Sequence, residues 1–186
     1  CKALEKVDLF ESKIKEIKNC TFFGCTNLKE VLFPPELTKI GEMAFSGCVR
    51  LEEINIKSTV EFVGKGAFKG CSSLKQITIN PMKTNVDFSA FQDCENLQSM
   101  VITSDDSIIV PFNDEPFHGI TKIIISSSVT TIKAYSFKRF LYIKEIFIPE
   151  SVSCIDHSAF AGCLSLKKVK IPPSLVYIGP HAFSGC

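Results

Sequence analysis

The sequence lacks the features that mark a membrane-spanning or nucleic-acid-binding protein. Its apolar runs are only a few residues long, whereas a membrane-spanning helix needs about 20 consecutive apolar residues. We therefore expect no membrane insertion in this segment. Its 21 Lys and Arg residues are balanced by 20 Asp and Glu residues, which leaves a formal net charge of +1. Because no basic block exceeds the cluster of Lys167, Lys168 and Lys170, nucleic acid is not an expected partner.

A secretion signal is also missing from the start of the sequence. No charged region followed by an apolar stretch opens the chain, and its first residue is Cys1 rather than Met. We therefore expect the chain to be a fragment of a longer protein. Its missing targeting signals then leave the compartment open.

Residue patterns that carry catalysis or bind cofactors are lacking as well. The three histidines, His118, His157 and His181, fall at different points of the repeat described below. The glycines are spread along the chain and form no phosphate-binding loop. We therefore expect no enzyme, no cofactor and no metal site. One alternative is a calcium ion held by oxygen atoms of the acidic stretch, although its spacing is not that of an EF-hand and a solvated loop is favoured. That stretch contains Asp105, Asp106, Asn113, Asp114 and Glu115.

The sequence has instead a short phrase that recurs, first seen as Ala44-Phe45-Ser46-Gly47-Cys48. Its Phe returns every 23 residues, except for one interval of 26 that is followed by one of 20. The phrase positions are Phe22, Phe45, Phe68, Phe91, Phe117, Phe137, Phe160 and Phe183. Self-similarity at a fixed period of this size is typical of a solenoid, in which each repeat buries its apolar side against the next.

Each repeat carries a second apolar pattern, three residues after the cysteine. In one copy it reads Leu51, Ile54 and Ile56, and alternating β-branched residues of this kind indicate a short strand. A second apolar pair follows, such as Val60 and Val63, and predicts a short extended segment. The next residue is often glycine, which suits a turn with positive φ; examples are Gly41, Gly64 and Gly179. The phrase itself is long enough for one helical turn.

The nine cysteines follow the repeat more closely than they follow any metal or disulfide framework. Seven stand at the end of the phrase, at intervals of 24, 23, 23, 23, 69 and 23 residues, of which 69 is three periods; only Cys20 and Cys154 do not. Zinc sites and compact disulfide frameworks use mixed short spacings instead. We interpret the seven as a ladder of buried, reduced thiols, with disulfide bonds as the alternative.

The pattern LxxIxIPxxVxxIGxxAFxxC, as in residues 166–186, resembles the leucine-rich repeats of the BspA-like (Treponema pallidum-type) class. The resemblance covers residues 1–186 and implies an α/β-type solenoid, a right-handed horseshoe of about eight 23-residue repeats. A parallel β-sheet would line the concave face, with short helical turns and short extended segments on the other side. We expect a single solenoid that is part of a longer array, with one irregular repeat around 103–120 and a local bulge at 103–117.

Strand alternation predicts which side chains line the concave face. With the second and third apolar positions of each triplet pointing inward, the residues between and beside them point outward. Val101, Ile124 and Phe147 would then be neighbours in one exposed column, as an interaction patch requires. Strand propensity alone is the alternative explanation. The candidate binding residues are Leu32, Asn55, Thr78, Val101, Lys122, Ile124, Glu145, Phe147, Lys168 and Lys170.

Two functions follow as hypotheses. The resemblance implies a non-enzymatic protein-binding module within an adhesin-like protein, at the cell surface or secreted, whose concave face binds a protein or extracellular-matrix ligand. The alternative is a structural spacer or intracellular scaffold array without a ligand of its own.

Overall fold

A computed structural model of the chain describes residues 1–80, 83–104, 108–109 and 119–186, of which residues 88, 108 and 109 by their backbone only. The chain divides into two compact units. Unit 1 comprises Cys1–Ile79 and Lys83–Leu97, and unit 2 comprises Asn80–Met82 and Gln98–Cys186. The acidic stretch considered as a calcium site lies outside the described residues, as do His118 and most of the bulge expected at 103–117.

Unit 1 is a coil of short parallel strands, two from each repeat. The strands are β1 (Lys6–Asp8), β2 (Glu16–Ile17), β3 (Glu30–Leu32), β4 (Lys39–Ile40), β5 (Glu53–Asn55), β6 (Phe62–Val63), β7 (Gln76–Ile79) and β8 (Asn85–Val86). Strand β1 pairs with β3, and β5 pairs with β7. The even-numbered strands form one sheet in the order β2-β4-β6-β8. The predicted parallel strands and short extended segments are therefore both present.

Unit 2 repeats this arrangement. Its strands are β9 (Ser99–Ile102), β10 (Ile108–Ile109), β11 (Lys122–Ile125), β12 (Thr131–Ile132), β13 (Glu145–Phe147), β14 (Cys154–Ile155), β15 (Lys168–Val169) and β16 (Tyr177–Ile178). The odd-numbered strands are ordered β9-β11-β13-β15 and the even-numbered strands β10-β12-β14-β16, all parallel. Equivalent residues face each other, as Ile123 faces Ile146. Each unit is thus a parallel β-solenoid.

The expected helical turns are wrong for nearly all of the described chain. Its one helix there is the 3₁₀ turn Phe88–Phe91. In the other copies the amides of the phrase alternate: one donates to a carbonyl within the same turn, and the next donates to a carbonyl of the following repeat. Ser46 N–H donates to the Met43 carbonyl at 3.2 Å, while Phe45 N–H donates to Ala67 and Gly47 N–H to Lys69, at 2.7 and 2.8 Å. Because every second amide leaves the turn, an α-helix cannot form. The α/β description is replaced by an almost all-β one.

The count of about eight repeats stays a prediction, since the repeat that contains residues 110–118 falls partly outside the described residues.

Left-handed residues make this alternation possible. The residue before the phrase cysteine has positive φ, as at Gly47 (φ 75°) and Gly70 (φ 70°), and still does where Asp93 replaces glycine (φ 60°). Arg139, which precedes Phe140 at the place of the cysteine, also has positive φ (65°). Ser89, two places before Phe91, lies in the 3₁₀ turn, but a second left-handed residue stands two places before six other phrase Phe residues. These are Cys20, Met43, Gly66, Tyr135, Ser158 and His181. Most corners therefore include strained non-glycine backbone at a cost of about 1 kcal/mol per residue, which the Phe68 corner avoids because both of its left-handed residues are glycines.

The glycines that follow the even-numbered strands have a different role from the one predicted. Gly41, Gly64 and Gly179 do not have positive φ. A Cβ at Gly64 would lie 2.8 Å from the amide nitrogen of Glu42, and one at Gly179 would lie 2.5 Å from that of His157. The preceding turn leaves no room for a side chain, so close backbone approach, and not a left-handed turn, explains these glycines.

Phenylalanine rings form the centre of the core. Phe45 stacks on Phe22 and Phe68 with ring centroids 5.1 and 5.3 Å apart. In unit 2, Phe160 stacks in the same way on Phe137 at 5.1 Å, with an interplanar angle of 5°. Rings that repeat every 23 residues can stack because parallel strands bring equivalent positions to adjacent levels.

The phrase cysteines form a second column beside the rings. Each of five thiols lies within hydrogen-bonding distance of the Phe carbonyl in the preceding turn; Cys71 Sγ, for example, is 3.3 Å from the Phe45 oxygen. The others are Cys48, Cys94, Cys163 and Cys186. All nine cysteines are free in this structure. Of the seven predicted to be buried, five are, and Cys1 and Cys186 are exposed at the two ends of the chain. The thiol also donates a weak hydrogen bond, a role that sequence analysis did not assign.

We expect the corner conformation to be tested by substituting Gly70, where an added Cβ would meet no atom within 4 Å. Gly70→Ala should lower the free energy of unfolding by about 1 kcal/mol, because alanine resists positive φ. Gly70→Asn should cost less despite its larger side chain, because asparagine tolerates this conformation. Urea unfolding followed by circular dichroism measures both. A greater loss for asparagine would show that size, and not φ, limits this position.

Thiol accessibility should separate two groups of cysteines. Cys1, Cys20 and Cys186 are exposed and should react with iodoacetamide within minutes in the native protein, followed by the half-buried Cys154. The five buried thiols should react only after unfolding; these are Cys25, Cys48, Cys71, Cys94 and Cys163. Peptide mass spectrometry locates the label, with unfolded protein as the control. Rapid native labelling of Cys71 would contradict the core assignment.

Alkaline pH should destabilise the fold through the same thiols. Burial raises the pKa of Cys48 and of Cys163 to about 12 from 9.0. The folded state therefore favours the neutral thiol, and this stability is complete below pH 9 and is lost between pH 9 and 12. Urea unfolding at pH 8 and at pH 10 measures this loss. From pH 8 to pH 10 the free energy of unfolding should fall by about 1 kcal/mol less for Cys48→Ala than for the unsubstituted protein. Equal losses would exclude the thiol as the cause.

Candidate functional site

Four strands of unit 2 bring most of the candidate residues together. In the paired strands Val101 lies opposite Ile124, and Ile124 lies opposite Phe147. Their strand neighbours point inward, as shown by Ile123 and Ile146, which are 0% and 5% exposed. Phe147 is 51% exposed, and Val101 and Ile124 are half-buried. These three residues form a continuous outward-facing strip, which we call the apolar ladder.

The candidate residues of unit 1 have a different character. Asn55 lies opposite Thr78 in the β5–β7 pair. Leu32 lies opposite Asp8 and is half-buried. The positions equivalent to the apolar ladder are thus mostly polar in unit 1, although strands form there as well. An apolar residue is therefore not required for strand formation at this position.

Lys122 covers part of Phe147. Its Nζ atom lies 4.9 Å from the centre of the Phe147 ring, within the range of a cation–π interaction, which contributes about 0.5–1 kcal/mol at an exposed site. Lys122 is not opposite Phe147 in the ladder but opposite Glu145, so this contact is diagonal. Sequence analysis named both residues and missed the contact. The sequence feature that predicts this contact is the diagonal offset of Lys122 and Phe147 in adjacent repeats, since long side chains reach such neighbours.

Lysines surround the apolar ladder on the same strands. Lys168 lies opposite Glu145 in the β13–β15 pair, and Lys170, just beyond β15, is exposed. Lys144 and Lys167 stand immediately before β13 and β15 and are also exposed. Within the described residues, none of these four amino groups has a carboxylate within salt-bridge distance.

In unit 1 the lysines at equivalent positions form ion pairs. Lys29 pairs with Glu5 at 2.8 Å, and Lys75 pairs with Glu52 at 2.9 Å, each across one turn. These ion pairs hold the pKa of both glutamates below its usual range, chiefly through the hydrogen bond from the lysine. Position for position, Lys144 and Lys167 are their equivalents. Neither residue is among the candidates predicted from the sequence, although the loss of alternating charge in this column is visible there.

A small polar cluster lies elsewhere in unit 2. The His157 Nδ1 atom is 3.4 Å from Asp156 Oδ1, and the Tyr135 ring is edge-on to the His157 ring with centroids 4.7 Å apart. The His157 backbone amide donates to the Asp156 carboxylate at 2.7 Å and holds its pKa below the usual range. This arrangement orders a turn.

The described part of the chain contains no group of three or more His, Cys, Asp or Glu side chains placed to hold a metal ion. In the same ranges of residues, none of the helices is long and apolar enough to span a membrane.

Comparison with known protein families identifies the repeat. A family model described as "BspA type Leucine rich repeat region (6 copies)" matches residues 1–117 and 112–186. The chain belongs to this BspA-type leucine-rich repeat family. The 23-residue repeat is therefore the repeat of this family, and it contains the paired strands, the stacked Phe ring and the phrase cysteine described above. A comparison with curated proteins found no match.

Solved structures with the same fold come from several bacteria. A leucine-rich repeat protein from Bacteroides ovatus is 30% identical, with a TM-score of 0.58, and the match covers 100% of this chain and 48% of that one. The Treponema pallidum leucine-rich repeat protein is 22% identical over 88% of this chain and 78% of its own, with a TM-score of 0.56. A third, from Eubacterium ventriosum, is 19% identical over 98% of this chain and 64% of its own, with a TM-score of 0.50. This chain thus spans about half of the Bacteroides protein.

Proposed function

We propose that this chain is a non-enzymatic protein-binding module whose binding surface is the outward face of β9, β11, β13 and β15. The observation that carries the proposal is the apolar ladder, which ends in the half-exposed Phe147. Adjacent apolar side chains on a protein surface mark an interaction site more often than scattered ones do. Membership of a leucine-rich repeat family supports the same conclusion, since these repeats generally mediate protein interactions.

The comparison within the chain argues against strand propensity as the whole explanation. Asn55 and Thr78 occupy the position of the apolar ladder in unit 1 and still lie in paired strands. Burying the exposed half of the Phe147 ring in a partner would contribute about 1–2 kcal/mol. Aromatic residues are also among those enriched at the energetic centres of interfaces. The fold therefore does not require apolar residues at these positions, whereas their burial against a partner would stabilise a complex.

The surroundings of this module are proposed from the family. The resemblance that identified the repeat links it to large surface proteins that adhere to host matrix. We assign the chain to such an adhesin-like protein, with a protein or extracellular-matrix component as its ligand. Residues 1–186 would act as one solenoid within a longer array, with the binding face on the concave side.

The test is binding to purified extracellular-matrix proteins, measured by biolayer interferometry. Phe147→Ser, and the triple variant Val101→Ser, Ile124→Ser and Phe147→Ser, should weaken binding to a bound matrix protein at least about tenfold, or 1.4 kcal/mol. A control triple removes similar exposed apolar groups elsewhere: Phe23→Ser, Val49→Ser and Leu164→Ser. It should bind within about twofold of the unsubstituted protein.

Circular dichroism and thermal unfolding must show that each variant is folded. Equal binding by both triple variants would exclude the apolar ladder and favour a spacer or scaffold without its own ligand. A failure of the unsubstituted protein to bind any matrix protein would contradict the matrix ligand.

A further inference from the structure

The basic residues around the apolar ladder point to the chemistry of the partner. Five lysines and a single glutamate, Glu145, lie in or directly beside β11, β13 and β15, although the whole chain has a net charge of only +1. We call the lysines the lysine group; they are Lys122, Lys144, Lys167, Lys168 and Lys170. Positive charge is thus concentrated beside the one contiguous apolar strip described above.

The lysine group is arranged at a cost to the fold. Lys144 and Lys167 occupy the same position in consecutive repeats, where neighbouring strands are about 4.8 Å apart and like charges destabilise. Unit 1 places Glu52 beside Lys75 at this position and gains an ion pair of 2.9 Å. A partner that supplies negative charge would remove the repulsion in unit 2, and complementary charge also accelerates encounter.

The position of Lys122 links the charge to the apolar ladder. Its ammonium group lies 4.9 Å from the ring centre of Phe147, so one surface offers an aromatic ring and a cation together. An acidic side chain could bond Lys122 while a neighbouring apolar side chain packs on the remaining ring surface. A polysaccharide or nucleic acid offers negative charge without aliphatic side chains to cover Val101 and Ile124.

We propose that the partner of this surface is an acidic polypeptide segment that places an apolar side chain against Phe147 and carboxylates against the lysine group. This inference rests on the proposed function, because it names the partner of the same face.

The experiment is selection of random 16-residue peptides displayed on phage against the immobilised protein. Peptides enriched on the unsubstituted protein should contain an excess of Asp and Glu beside an aromatic or aliphatic residue. The triple variant Lys144→Glu, Lys168→Glu and Lys170→Glu should bind these peptides at least tenfold more weakly, measured by fluorescence anisotropy. A control triple makes the same charge change on exposed lysines of unit 1, namely Lys13→Glu, Lys18→Glu and Lys65→Glu, and should keep the affinity within twofold.

Binding of an enriched peptide should also weaken as salt rises, since exposed charges are screened. Phe147→Ser identifies the peptides that use the proposed face. If such peptides are enriched but carry no acidic excess, the acidic partner is excluded and the binding face stands. If no peptide depends on Phe147, the binding face itself fails, and this inference with it.

A heparin column distinguishes the other polyanion. The inference would be overturned in favour of a sulfated polysaccharide by two results together. The Lys144, Lys168 and Lys170 triple variant would lose retention on heparin while the control triple keeps it, and the enriched peptides would carry no acidic excess.

Discussion

The hydrogen bonds between successive turns are the constraint on which both units depend. Strand amides, and every second amide of the corner phrase, donate to the neighbouring repeat; Phe160 N–H, for example, donates to the Ala182 carbonyl at 2.7 Å. These bonds hold equivalent residues at adjacent levels. The ring stack, the thiol column and the close approach of Gly64 to Glu42 are all consequences of that alignment. The packing of a buried residue in this fold is therefore determined mainly by the equivalent residue one repeat away.

This constraint explains what could be predicted from the sequence. A 23-residue period predicts stacked parallel repeats, and the apolar triplets locate the odd-numbered strands and the buried Phe and Cys side chains. The predicted helical turns were wrong because the length of a segment does not show where its amides donate. The left-handed Met43 and Gly47 direct alternate amides to the next repeat instead. Gly179 was misread for a similar reason, since crowding by His157 is a contact between turns that no local pattern records.

The surface was predicted in part. Alternation along β9, β11 and β13 correctly separates inward from outward residues, because the period of a strand is two. It cannot show that Lys122 leans over Phe147, since this depends on rotamers. It also missed Lys144, which precedes its strand and so falls outside the alternation. The repeat thus fixes the interior while leaving outward positions free, and the two units use that freedom differently: paired charges in unit 1, concentrated lysines in unit 2.

The direction of the bonds between turns has a mechanical consequence. In each unit these bonds run along the stacking direction, so a force that pulls the chain away from a terminal turn breaks them one level at a time. Such a unit should extend by peeling, at low force, rather than by sudden rupture of the whole. Each detached repeat of 23 residues would release roughly 75–80 Å of chain. A protein built from such turns would yield gradually under load while the remaining turns stayed folded.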